Sequence, residues 1–137
     1  MSFKERIIHA MLFEIMLITI FTFALHYITH QGIGKAFTLV ISLSVIAVVW
    51  NFIFNFIFDK YVKGAREKRT FKIRSIHAIL FEIGLIFPTL PLIAYSLKIS
   101  LLEAFIIDIG FIIFVLIFTV VYNYIYDHAR LSFIHKV

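Results

Sequence analysis

Apolar residues in this chain run in long blocks, with none of the alternation that marks a half-buried strand. Four blocks stand out, at about residues 7–28, 36–58, 75–97 and 104–126. Each exceeds the roughly 20 residues a helix needs to cross a bilayer. Only helices and closed barrels satisfy the backbone in lipid, and the period-two pattern of a barrel is missing. The pattern predicts an all-α integral membrane protein with four transmembrane helices. The first block, preceded by Lys4 and Arg6, has the outline of a signal peptide. Glu14 interrupts it, however, no A-x-A-like cleavage site follows, and the same segment recurs mid-chain, so it reads as a membrane span.

The polar positions inside the blocks recur. "RIIHAMLFE" runs from Arg6 to Glu14 and "RSIHAILFE" from Arg74 to Glu82, an offset of 68 residues. The offset holds along the whole chain. It matches Phe3, Lys4, His9 and Phe13 to Phe71, Lys72, His77 and Phe81, and Asn55 and Asp59 to Asn123 and Asp127. The chain reads as a tandem duplication of a two-helix hairpin, residues 1–68 and 69–137. Two spans per unit is an even number, so both copies share one orientation and form a parallel repeat. Generic apolar sequence would not retain Arg, His, Glu, Asn and Asp at matching places.

Composition strengthens the membrane reading. Hydrophobic residues make up 62% of the 137, and the mean hydropathy is +1.01, where soluble domains are nearer half apolar. Cysteine is absent, which excludes disulfides and thiolate metal sites. The net charge of +5 would suit nucleic acid, but its placement points elsewhere. Eleven of the 13 Lys and Arg lie near the two termini and in the middle loop "DKYVKGAREKRTFKIR"; only Lys35 and Lys98 lie on the other side. The positive-inside rule then puts both termini and the middle loop in the cytoplasm, facing anionic membrane lipid, with no role for nucleic acid.

Depth follows from counting. Glu14 is eight residues inward from Arg6, about 12 Å at the rise of a helix. On the second helix Asn51, Asn55 and Asp59 share one stripe at i, i+4, i+8, which Thr119, Asn123 and Asp127 repeat on the fourth. Counting sets Arg6 level with Asp59, Glu14 with Asn51 and Arg74 with Asp127, so Arg6–Asp59 and Arg74–Asp127 are expected as structural charge pairs. Glu14 and Glu82 are the leading chemical candidates. A carboxylate at membrane depth is costly unless paired or protonated, and desolvation favours the neutral form, which suits such a group to proton transfer. The alternative role is interhelical glue, Glu14 bonded to Asn51. Asp108, near the outer end of the fourth helix, has Val40 as its repeat counterpart and reads as an outer gate or as a side chain snorkelling to the interface.

His9 and His77 are equivalent and level. Two such histidines could ligate a b-type haem; the simpler reading is a histidine hydrogen-bonded between helices. His to Glu at i, i+5 is no chelating pair, and no metal site is expected. Trp50, Phe54 and Phe58 line up beside the Asn stripe, among 17 Phe, 6 Tyr and 1 Trp in all. Ring faces attract cations, so Trp50 joins the candidates for an amphipathic cation site. Pro88 and Pro91, after Gly84, permit a kink in the third helix.

At these residues the chain resembles the proteobacterial antimicrobial compound efflux family, the chlorhexidine-type transporters built from a tandem bacterial transmembrane pair. The resemblance spans essentially the whole chain. It rests on R-x-x-H-A-x-x-F-E at Arg6–Glu14 and Arg74–Glu82, on "WNFIFNFIFD" at Trp50–Asp59, and on "DIG" at Asp108 with "YNYIYD" at the end of the fourth helix. It implies an inner-membrane exporter of cationic biocides, driven by the proton gradient without a cofactor, with short aliphatic diamines among the substrates and Glu14 as coupling acid. The expected function is therefore proton-coupled antiport and not enzymatic catalysis. A bis-histidine haem protein and a structural subunit of a membrane complex are the rival readings. Four short helices enclose little volume, which leaves a homodimer open.

Overall fold

In the computed structural model, which describes residues 2–134, the described chain is four long helices and one short turn: α1 (Phe3–Thr29), α2 (Ile33–Tyr61), a 3₁₀ turn (Arg66–Lys68), α3 (Phe71–Leu97) and α4 (Leu101–Ile134). Lys136, one of the basic residues counted above, lies outside the described residues. The helices run beyond the apolar blocks at their ends because the flanks carry helix signals of their own. Ser2 caps α1 in a capping box with Glu5, and Thr70, its counterpart at the 68-residue offset, accepts from the Ile73 N–H to cap α3. Ser100 and Glu103 exchange the same pair of bonds at the start of α4. At the other ends, His30 and Lys98, again 68 apart, both adopt the left-handed conformation (φ 54° and 55°) that stops a helix. The repeat is thus visible in the caps as well as in the side chains.

All four helices are long and apolar enough to cross a membrane, and the chain is a multi-pass membrane protein. Only 6% of the apolar window of α1 and 11% of each of the others is buried inside the protein, so most of this apolar surface is not packed within the chain itself. Pro88 and Pro91 sit within α3 without ending it, as neighbouring side chains allow in membrane helices. Between them the buried Thr89 hydroxyl donates to the Leu85 carbonyl at 2.9 Å.

The helices pack as two compact units that differ from the sequence repeats. One comprises α1, the start of α2 through Phe37, and α4 from Ile106; the other is Thr38–Phe105, essentially α2 with α3. Each unit therefore joins one helix from each repeat. The repeat maps one onto the other: α1 with α4 corresponds to α3 with α2.

Candidate functional site

In the first unit, α1 and α4 run antiparallel and meet through aromatic rings. Phe21 stacks on Phe111 at 4.3 Å, and Phe13 packs against Phe118 and Tyr122 at 5.4 and 5.2 Å. The His9 ring lies against Tyr122 and edge-on to Tyr126 at 4.4 Å, and the Tyr122 hydroxyl donates to the His9 carbonyl at 2.8 Å. These contacts recur every three to four residues because side chains that far apart share one face of a helix. Beside them in the chain is Glu14, half-buried within the span. Asp108 is buried at 8% exposure. Nearer the end of the unit, Arg130 donates to Glu5 at 3.4 Å in a part-exposed ion pair.

The second unit uses the equivalent positions with different residues. Phe54 and Phe58, counterparts of Tyr122 and Tyr126, stand edge-on to His77 at 5.0 and 4.7 Å. His77 Nε2–H donates to Asn55 Oδ1 at 3.0 Å, and Asn55 Nδ2 donates to Asn51 Oδ1 at 2.7 Å. This is the hydrogen-bonded histidine of the simpler reading, and the carbonyl acceptor fixes its tautomer. Asn123, the counterpart of Asn55, is exposed, so the histidine–asparagine bond belongs to the second unit alone. Glu82 is half-buried, like Glu14. Among the described residues no three His, Asp or Glu side chains gather as a metal site.

Asp59 and Arg74, each expected in a charge pair, have partners in the loop between α2 and α3. Asp59 is held by Arg66 and Arg69 of the loop that follows it, Arg69 at 2.6 Å. Arg74 gives its guanidinium to the carbonyls of Arg69 and Arg66, at 3.2 and 3.3 Å. Depth counting levels residues along the membrane normal but leaves their direction around the helix undetermined. Arg66 and Arg69 follow Asp59 by only seven and ten residues, so closing these contacts costs little chain entropy. The Arg69 guanidinium also lies over the Phe58 ring at 5.4 Å.

Gly84 has a role the sequence reading missed. The Trp50 indole lies where a Gly84 side chain would be: a Cβ there would stand 2.2 Å from Trp50 Cζ2. The indole N–H donates to the Phe81 carbonyl at 3.0 Å. Trp50 is thus seated in a notch of α3, one turn before Pro88. A lone glycine inside a membrane-spanning helix was the available signal, since small residues let helices approach closely.

A duplicated hairpin of membrane-spanning helices with carboxylates inside the spans defines a small multi-pass membrane protein. The family model described as "Chlorhexidine efflux transporter" matches residues 1–64 and again 69–132, and the chain belongs to this family. The two matches coincide with the two sequence repeats. Among curated proteins, the short-chain diamines transporter of Acinetobacter baumannii is 38% identical over 95% of this chain and 90% of its own length. Its namesakes in Vibrio parahaemolyticus (40% identical; 95% of this chain, 93% of that protein) and Acinetobacter baylyi (39%; 90% and 88%) are similarly close. No solved structure matches.

Proposed function

We propose that this chain is a proton-coupled antiporter that exports cationic compounds, short-chain diamines and chlorhexidine-like biocides among them, across the bacterial inner membrane. The observation that carries the reading is Glu14: a half-buried carboxylate inside the α1 span, adjacent in the chain to Phe13, whose ring packs on Phe118 and Tyr122. An acid with aromatic neighbours is the chemistry an amphipathic cation needs. One carboxylate can hold a proton or face a cation, so loading of one expels the other. The names of the relatives, short-chain diamines transporters, agree with this substrate class. The distribution of basic residues supports cytoplasmic termini. Glu82, Asp108 and the Asn51–Asn55–His77 chain are secondary candidates for the proton route, and the proton gradient is the energy source.

The test is transport by the purified single chain in proteoliposomes, with a short aliphatic diamine or chlorhexidine as probe. Transport should appear with an imposed pH gradient, collapse with a protonophore, and be lost in Glu14→Gln. Gradient-independent flux would overturn the antiport, and absence of transport by the single chain would leave the structural-subunit reading standing.

A further inference from the structure

The end of α2 near the basic loop carries a groove of about 550 Å³ whose unengaged hydrogen-bonding groups are donors. Its acceptors are already engaged. Both Asp59 oxygens are taken by Arg66 and Arg69, Asn55 Oδ1 accepts from His77, and Asn51 Oδ1 accepts from Asn55. Donors remain. Among the described residues Lys60 Nζ and Asn51 Nδ2 make no bond, and Arg66 reaches Asp59 through Nε and Nη2, which leaves Nη1. The wall beside these donors is apolar and open, with Phe52 and Phe56 at 76% and 69% exposure. A groove with cationic donors at its mouth and exposed phenyl rings running into the span repels a cation. It complements an anion carrying a hydrocarbon tail.

We propose that this groove is a binding site for an anionic phospholipid, its phosphate against Lys60 and Arg66 and an acyl chain along Phe56 and Phe52. The repeat supplies an internal control. The counterparts of Lys60, Arg66, Phe52 and Phe56 are His128, Ile134, Val120 and Tyr124, so the cationic donors and the phenyl pair occur in one copy only. The His128 ring is moreover occupied, its Nδ1 lying 2.8 Å from the Tyr124 carbonyl. The site shares no residue with the proposed coupling site, and a lipid there would hold the loop end of α2 at the headgroup level.

The experiment is lipid retention by the purified full-length chain, read by native mass spectrometry after exchange into phosphatidylglycerol, phosphatidylcholine or an equal mixture. The wild type should retain phosphatidylglycerol in preference to phosphatidylcholine. Lys60→Gln should weaken that preference about fivefold, the factor for roughly 1 kcal/mol per basic side chain at an anionic surface. Lys60 takes no part in the Asp59 clasp, so this variant keeps the loop intact. Arg66→Gln, which loosens the clasp, serves as second variant, with its circular dichroism checked. A Phe52→Ser variant should lose retention of both lipids alike. Equal retention of the two lipids by the wild type, or an unchanged preference in Lys60→Gln, would overturn the proposal. So would displacement of phosphatidylglycerol by millimolar inorganic phosphate, which would mark a simple anion site, or tighter binding of an aliphatic diamine in the groove.

Discussion

The two packed units answer the same design with different residues. In α1 with α4, Phe118 packs on Phe13, and the position one turn beyond Leu12 on α1 is Met16. In α2 with α3, Trp50 replaces Phe118 and Gly84 replaces Met16, and the indole fills the space a side chain would need. A larger ring is matched by a smaller partner, as dense packing requires. Polar anchoring differs too. The first unit ties its helices with the Tyr122 hydroxyl and the Glu5–Arg130 pair. The second uses the Trp50 indole and the His77–Asn55 bond, while the counterparts of Glu5 and Arg130, Ile73 and Val62, line an apolar groove. Duplication preserved the positions of contact and let the chemistry diverge, so the two halves are free to carry different tasks.

The largest effect on stability is expected at the notch. Gly84→Ala puts a methyl into the indole. Overpacking of about 1–3 kcal/mol and loss of an N–H bond of about 1 kcal/mol outweigh the roughly 1 kcal/mol that Ala gains over Gly in a helix. Thermal unfolding in detergent should show a clear drop, and Gly110→Ala, where nothing stands within 4 Å of the added methyl, should not. Combining Trp50→Phe with Gly84→Met imports the pairing of the first unit and should restore part of the loss. An additive double variant would show that the two positions do not compensate each other.

Tyr122→Phe removes one hydroxyl-to-carbonyl bond and should cost about 1 kcal/mol, read as a smaller fall in unfolding temperature. A similar value is expected for Asn55→Ala, which leaves the His77 N–H without its acceptor. Smallest is the Glu5–Arg130 pair. Both side chains are about a third exposed, salt screens such pairs, and reversing them as Glu5→Arg with Arg130→Glu should leave the unfolding temperature unchanged within error. A large loss there would mean that the ends of α1 and α4 are held by this pair and not by the aromatic rows.

Much of this architecture was readable from the residues. Four apolar blocks and a 68-residue offset specify the spans and the repeat, since both are one-dimensional patterns. Even the caps follow the offset, at Ser2 with Thr70 and at His30 with Lys98. The pairing of α1 with α4 and of α2 with α3 was not readable, because a repeat states which residues are equivalent and not which helices touch. Asp59 illustrates the gap: counting offered an arginine on another helix, whereas Arg66 and Arg69 of the following loop hold the carboxylate, which no count along a helix singles out. Gly84 was seen beside Pro88 and Pro91 but not as the seat of Trp50, which needs the two helices brought together. Glu14, in contrast, stands out in sequence because the cost of an acid among apolar residues is local.

The central claim is that Glu14 exchanges a proton for a cation. It is tested most directly by measuring the affinity of the purified protein for a diamine or chlorhexidine across pH, in the wild type and in Glu14→Gln. The variant keeps the size and hydrogen bonding of the side chain, loses its titration, and should fold normally because no buried charge remains to be solvated. Wild-type affinity should rise with pH as deprotonation creates the negative site. The variant should bind weakly with a flat profile. Superimposable profiles would contradict the account and move the coupling role to Glu82 or Asp108.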